Sequence, residues 1–173
     1  MKKLTLLFGL LAFACTTAFA QISKEQSIAE WTRAKAYTKA YLDAMPADGF
    51  AFKPTPEIRS FAEQMLHLAD ASYYFLSITS GKPSPLGEKS VEKTVAHTKD
   101  ATTKAVLDSY DYVIATLKAI PDADLAQTVS AEGMKTTKGL LLAKAFEHQT
   151  HHRGQTTVYL RLKGVKPPAE MLF

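Results

Sequence analysis

The chain has 173 residues, which is enough for one domain with a sizeable core and short for two domains of ordinary size. Its formal net charge is +4, but the sequence has no basic patch interleaved with aromatic residues, which argues against a nucleic-acid-binding protein. The single cysteine, Cys15, excludes an internal disulfide and a metal site built from several thiolates.

The first twenty residues have the pattern of a secretory signal peptide. Lys2 and Lys3 form a positive start, residues 4–14 are an apolar run too short to span a bilayer, and residues 18–20 read Ala-Phe-Ala, a typical cleavage site. We therefore predict cleavage before Gln21 and export of the mature protein to the periplasm or out of the cell.

The predicted mature domain, residues 21–173, has no cysteine, because Cys15 leaves with the leader. It keeps 19 basic and 17 acidic residues, since the leader removes two lysines. A lipoprotein attached through Cys15 is a weaker alternative, because Ala12 stands where a large aliphatic residue is usual. No later run is long and apolar enough for a transmembrane helix, so we expect no stable insertion in the membrane.

The first predicted helix begins near Lys24. Ser23 and Gln26 have the spacing of a capping box, and Pro46 ends the helical pattern. Apolar and aromatic residues repeat at intervals of three and four, which indicates one buried face. This stripe consists of Ile28, Trp31, Thr38, Leu42 and Met45.

The second predicted helix begins with Thr55 as its N-cap and Pro56 at its first position, and runs to Thr79. Its predicted core stripe is Ile58, Phe61, Met65, Leu68 and Phe75. His67 lies beside that stripe, where a lone histidine is more often partly buried and hydrogen-bonded than bound to a metal. Asp70, three residues later, has two interpretations: it orients the His67 ring through a hydrogen bond, or it is an ordinary surface acid.

Residues 91–120 read as helical with a break near Asp100, and their stripe is Val106, Tyr110, Val113 and Leu117. His97 lies among polar residues, so we leave it out of any metal site. Residues 121–136 are predicted to be a connection with a short extended piece around residues 128–131.

The last predicted helix starts near Thr137 and ends at Lys163, with Gly164 as its C-cap. The sequence thus contains four long helical patterns, no strong strand pattern and no internal repeat. This inventory predicts an all-α protein, an up-down four-helix bundle.

Three of the five histidines, His148, His151 and His152, fall within five positions of the last predicted helix. Residues four apart on a helix face the same way, with Cβ atoms roughly 6 Å apart, so His148 and His152 are able to bind one metal ion. The alternative is a polar helix surface on which histidines happen to be close. The surrounding face is largely apolar, which favours a site inside the bundle; it comprises Leu141, Ala145 and Tyr159.

The run 148–155, with the pattern H-x-x-H-H-R-G-Q, resembles the DinB/YfiT-like family. His67 with the Leu-Ala-Asp that follows it, residues 52–56 and the tail 159–168 are also similar to that family. The resemblance covers essentially the whole mature chain. It implies a four-helix bundle that often forms homodimers.

The resemblance also implies a divalent metal, often zinc or nickel, held by three histidines with the remaining positions left to water. Carried over to this chain, these residues are His67, His148 and His152. The pair on the last helix agrees with the helical-face argument, whereas His67 as the third ligand rests chiefly on the resemblance.

Within this family, some relatives conjugate low-molecular-weight thiols such as bacillithiol or mycothiol to electrophiles, one branch isomerises maleylpyruvate, and many members have no assigned reaction. The resemblance therefore implies a metal-dependent enzyme that acts on a small molecule, either a hydrolase or a thiol S-transferase-like protein. A signal peptide departs from the cytosolic transferases and favours a periplasmic hydrolase. The alternative is a non-catalytic metal-binding or stress-related bundle with a structural or vestigial site.

The other residues of the run have simpler interpretations. Arg153 and Gln155 are expected to set the polarity of a pocket or to pair with the second helix, where Asp70 or Glu63 offers Arg153 an acid. Gly154 is expected to permit close approach of helices. His151 is interpreted as a surface histidine, a proton carrier or a partner of the ligands.

Overall fold

The computed structural model describes residues 22–173. Over that range the fold has five α-helices and one two-stranded sheet, and none of these helices is long and apolar enough to cross a membrane. The elements are α1 (Lys24–Ala44), α2 (Phe61–Ser80), α3 (Val91–Thr94), α4 (Lys99–Ala119), β1 (Thr128–Ala131), β2 (Met134–Thr137) and α5 (Lys138–Leu162). The predicted signal peptide, residues 1–20, lies outside the described residues.

The four long helices form the bundle. α2 packs against both α4 and α5, while α1 packs against α4 and, less extensively, α5. The side chains between them form one hydrophobic core that includes Trp31, Leu42, Met65, Tyr110 and Leu160. The predicted all-α, up-down four-helix bundle is confirmed.

The first and last helices have the ends that the sequence predicts. Ser23 and Gln26 form a capping box at the start of α1, and the Thr137 side chain accepts a hydrogen bond from the Leu140 amide at the start of α5. Gly164 follows α5 with φ of 72°, a left-handed conformation that costs glycine little. These ends depend on residues close in sequence, which is why local patterns identify them.

The predicted start of the second helix is wrong. Residues 51–60 form a loop, and α2 begins only after Ser60, whose Oγ accepts from the Glu63 amide at 3.2 Å while Glu63 Oε2 accepts from the Ser60 amide at 2.6 Å. This reciprocal capping box satisfies two backbone donors, the amides of Ser60 and Glu63. Ile58 accordingly lies in the loop and is 38% exposed, so it is not part of the core.

The predicted third helix is divided in two. α3 is a single turn, and Thr98 caps α4 by accepting from the Ala101 amide. The break therefore precedes Asp100 by only a few residues, and His97 lies in the connection between the two helices.

The connection before α5 contains a β-hairpin, which the prediction of a single extended piece missed. Residues 128–131 pair antiparallel with residues 134–137, so that Thr128 lies opposite Thr137. Glu132 and Gly133 form the two-residue turn with φ values of 51° and 79°. Positive φ at both positions matches the right-handed twist of a hairpin, and Gly133 at the second position of the turn was the local signal for it.

Candidate metal centre

Three histidines from two helices meet inside the bundle. His67 lies on α2, and His148 and His152 lie one turn apart on α5. Their ring centroids are 5.3 Å apart between His67 and His148, 4.6 Å between His67 and His152, and 4.4 Å between His148 and His152. One ring nitrogen of each lies within 4.8 Å of the other two. The three predicted ligand residues are thus close enough to surround one ion.

The packing of α2 on α5 determines how deeply these rings are buried. His152 is 9% exposed, while His67 and His148 are partly buried. His97 lies apart on an exposed connection, where its Nε2 donates to the Glu92 carbonyl at 2.9 Å. His151 is exposed on the outer side of α5 and accepts from Gln155 Nε2 at 2.8 Å. Neither belongs to the cluster.

Burial keeps the clustered imidazoles neutral. Desolvation, with repulsion from the neighbouring histidines, lowers the pKa of His148 to about 4 and that of His152 to about 3. Burial also lowers the pKa of His67, and the positive charge of Arg59 acts in the same direction on all three rings. A neutral imidazole has the free lone pair that a metal ion needs. At neutral pH the three rings are therefore able to bind a cation without first losing a proton.

Gln64 fixes the orientation of His152. The Gln64 amide nitrogen donates to Gln155 Oε1 at 2.5 Å, so its oxygen is the acceptor that faces His152 Nδ1 at 2.8 Å. His152 therefore carries its proton on Nδ1 and leaves Nε2 free. Hydrogen bonds of this kind hold the tautomer and ring orientation of metal-binding histidines in proteins.

Glu92 is the carboxylate nearest to His67. Its Oε2 lies 3.4 Å from His67 Nδ1, and its Oε1 accepts from Arg59 Nε at 2.7 Å. Asp70, which we expected to orient His67, instead accepts from the amides of Val91 and Glu92 at 2.7 and 3.1 Å. Asp70 thereby holds the start of α3 in place, and this turn carries Glu92 to the histidine.

Sequence reasoning missed both of these partners. Gln64 offers a weak signal, because it lies three residues before His67 on the same helix. Glu92 offers none, since 25 residues separate it from His67 and only the fold of α3 against α2 brings them together. Gln155 does pair with α2, as we expected, and its partner is Gln64.

Two other expectations about the run are wrong. Arg153 is 5% exposed and does not pair with an acid of α2; its guanidinium lies 4.4 Å from the centre of the Tyr37 ring and donates to Gln149 Oε1 at 3.0 Å. Gly154 faces outward, and a Cβ added there would meet no atom of the described chain within 4 Å. Close packing within this chain does not require that glycine.

A cleft of about 550 Å³ opens beside the cluster and reaches His152. Its walls come from the loop before α2, from α2 itself, from α3 and from α5. The residues that line it are Lys53, Glu57, Ile58, Arg59, Glu63, Gln64, Glu92, His152 and Gln155. A small molecule in this cleft would lie against the His152 imidazole.

Residues 15–171 match the model of the DinB family. The chain belongs to the DinB family. By sequence this DinB protein is 26% identical over 132 residues to the uncharacterized protein YjoA of Bacillus subtilis strain 168, which covers 73% of this chain and 82% of YjoA. Its three clustered histidines are able to hold a metal ion, the property that the sequence resemblance implies.

Solved structures of similar proteins have the same fold. A DinB-like protein from Bacillus cereus superposes with a TM-score of 0.72 at 23% identity, covering 87% of this chain and 99% of that one. YjoA gives 0.69 at 19% identity, covering 86% and 96%. A conserved protein from Enterococcus faecalis gives 0.60 at 18% identity, covering 83% and 98%.

Proposed function

We propose that His67, His148 and His152 hold one divalent metal ion, zinc or nickel. Imidazole nitrogen suits these metals better than magnesium or calcium, which prefer oxygen ligands. The support comes from three neutral rings with nitrogens within 4.8 Å and from the hydrogen bond that leaves His152 Nε2 free. Three protein ligands also leave coordination positions for water or a substrate.

We propose further that the metal serves a reaction on a small molecule, and the cleft of about 550 Å³ that reaches His152 is the observation that carries this proposal. A bound metal of this kind supplies Lewis acidity, which polarises a carbonyl or lowers the pKa of a water or thiol. Gln64 orients His152, and the walls of the cleft position the substrate and restrict its size. Hydrolysis is favoured over thiol transfer by the predicted export, because cytosolic reduction maintains low-molecular-weight thiols.

The second candidate is a non-catalytic bundle in which the metal is structural. The burial of His152 favours it, because buried polar groups need partners and a metal is one such partner. Metal removal distinguishes the two: a bundle that stays folded without metal, and whose metal accepts an added ligand, supports catalysis. Unfolding on metal removal together with a closed coordination sphere supports the structural role.

We also propose that the protein is exported and forms a homodimer. The signal-peptide pattern of residues 1–20 supports export. Homodimer formation rests on the family resemblance. Fractionation of cells and light scattering of the purified protein test the two separately.

The experiment that tests the site is elemental analysis of the mature protein, purified without a polyhistidine tag. We expect about one zinc or nickel per chain, and far less in His67→Ala. His97→Ala is the control, because His97 is an exposed histidine outside the cluster, and it should keep its metal. An absence of metal from the parent after reconstitution, or full metal in His67→Ala, would reject the site.

A further inference from the structure

Arg59 lies at the wall of the cleft with unused hydrogen-bond donors. Its Nε donates to Glu92 Oε1 at 2.7 Å. No described residue accepts a hydrogen bond from its two terminal nitrogens, and its side chain is 41% exposed. A guanidinium fork of this kind is suited to bind a carboxylate, sulfonate or phosphate through two parallel hydrogen bonds.

Two contacts hold Arg59 in place before any ligand arrives. Tyr159 Oη donates to the Arg59 backbone carbonyl at 2.7 Å, and this ties the loop to α5. Glu92 holds the side chain at Nε, and the same carboxylate faces His67 at 3.4 Å. Since its backbone and its Nε are already fixed, Arg59 loses little conformational entropy when its terminal nitrogens bind a ligand.

Arg59 also lies within electrostatic reach of the whole histidine cluster. Its charge lowers the pKa of His67, His148 and His152, and it lines the same cleft as His152. A molecule in this cleft is therefore able to contact both the Arg59 guanidinium and the His152 imidazole.

The other charged side chains that line the cleft are one lysine and three acids. Lys53 pairs with Glu63 at 3.0 Å, as Arg59 pairs with Glu92, so the planar pair of terminal nitrogens rather than the net charge distinguishes Arg59. Glu57 is exposed and, within the described part of the chain, has no ion-pair partner. This acid would instead attract a cationic group, so a test of substrate charge needs a cationic probe as well as an anionic one.

We propose that the cleft takes a small substrate with an anionic group, which Arg59 binds through its terminal nitrogens while another donor atom of the substrate meets the metal. This inference rests on the metal site proposed above. It defines the substrate class by charge and makes Arg59 a specificity-determining residue. Neutral and cationic analogues of the same shape should bind less tightly.

Cobalt-substituted protein provides a test that does not depend on activity, because the visible absorption of Co²⁺ changes when a thiol binds to it. We would titrate three thiols of equal length: 2-mercaptoethanesulfonate, 2-mercaptoethanol and thiocholine, which are anionic, neutral and cationic, and the quaternary ammonium of thiocholine cannot chelate the metal. A sulfonate is a poor metal ligand, so its effect reports on the protein. For each protein we take the ratio of the Kd values of two thiols, and we compare this ratio between the parent and each variant. Differences in the acidity of the thiols then cancel.

The parent should bind the sulfonate at least about tenfold more tightly than the neutral thiol, because each of the two charge-assisted hydrogen bonds contributes about that factor. Arg59→Gln should abolish that preference, and Arg59→Lys, which keeps the charge without the fork, should retain part of it. Arg161→Gln is the matched control on the exposed face of α5 and should behave as the parent does.

Several results would overturn the inference. An unchanged preference in Arg59→Gln would show that another group binds the anion, and a preference for thiocholine would point to Glu57 instead. A parent that binds cobalt but does not discriminate among the thiols rejects the anion site and leaves the metal site intact. A parent that binds no cobalt rejects the metal site itself, and the inference with it.

Discussion

Gln64 Oε1 accepts a hydrogen bond from His152 Nδ1 at 2.8 Å, and this contact joins α2 to α5 where the imidazoles meet. The same Gln64 side chain donates to Gln155, so its orientation is determined on both sides. One buried amide thus holds one ring of the proposed metal site in a single tautomer.

Gln64→Leu should lower the affinity for zinc by about 10- to 100-fold, because His152 loses the acceptor that fixes its ring. Gln64→Glu keeps an oxygen acceptor at the same place and should recover most of the affinity. Competition with a chromophoric chelator measures both. Equal affinities in the parent and in Gln64→Leu would show that the hydrogen bond does not support the site.

The metal-free protein should lose stability as the pH falls from 7 to 5. In the unfolded chain each imidazole takes up a proton near its ordinary pKa of 6.5, but in the folded chain His148 does so only near 4 and His152 only near 3. Between about pH 6.5 and 4 the unfolded state therefore binds more protons than the folded state. The free energy of unfolding becomes smaller as the pH is lowered through this range.

Urea denaturation at pH 7 and pH 5 checks this expectation. The double variant His148→Ala, His152→Ala should show a smaller difference between the two pH values, since its main depressed groups are gone. His97→Ala changes an exposed histidine and should keep the dependence of the parent. A double variant with an undiminished pH dependence would contradict the assignment.

Arg153→Ala should lower the free energy of unfolding by about 2–4 kcal/mol, because it leaves a cavity and removes a buried hydrogen bond and a cation–π contact. The guanidinium is 5% exposed, between the Tyr37 ring and Gln149 Oε1. Arg161→Ala, at an exposed position of the same helix, should change it by less than about 0.5 kcal/mol. Similar losses in both variants would mean that the buried contacts of Arg153 contribute little.

Ser60→Ala should destabilise the protein by about 1 kcal/mol, because α2 loses its N-cap. Thr55→Ala, at the start that the sequence pattern predicted, should change stability by less than about 0.5 kcal/mol. Thermal or urea unfolding distinguishes the two helix starts. A larger loss of stability in Thr55→Ala than in Ser60→Ala would show that α2 begins near Thr55 instead.

The sequence predicts the helices best where the deciding contacts are local. The caps at Ser23 and Thr137 and the apolar stripes depend on residues within one or two turns, so spacing alone identifies them. The start of α2 illustrates the limit. Thr55-Pro56 and the Ser60–Glu63 box are both acceptable local signals, and the packing of the loop selects the second.

The pairing of His148 with His152 follows from the sequence by itself, because helical geometry turns residues four apart to the same side. The proximity of His67 was expected from the family resemblance, and the structure brings its ring within 4.6 Å of the His152 ring. No spacing rule connects residues 85 positions apart.

The sequence by itself therefore determined the four helices, their buried faces and the histidine pair on one face of α5. Only the tertiary structure decided that Gln64 orients His152, that Glu92 rather than Asp70 faces His67, and that Arg59 borders the cleft. The reason is physical: backbone geometry repeats over a few residues and can be read from spacing. Contacts between helices depend on how their side chains pack, and residues distant in sequence become neighbours only when the bundle forms.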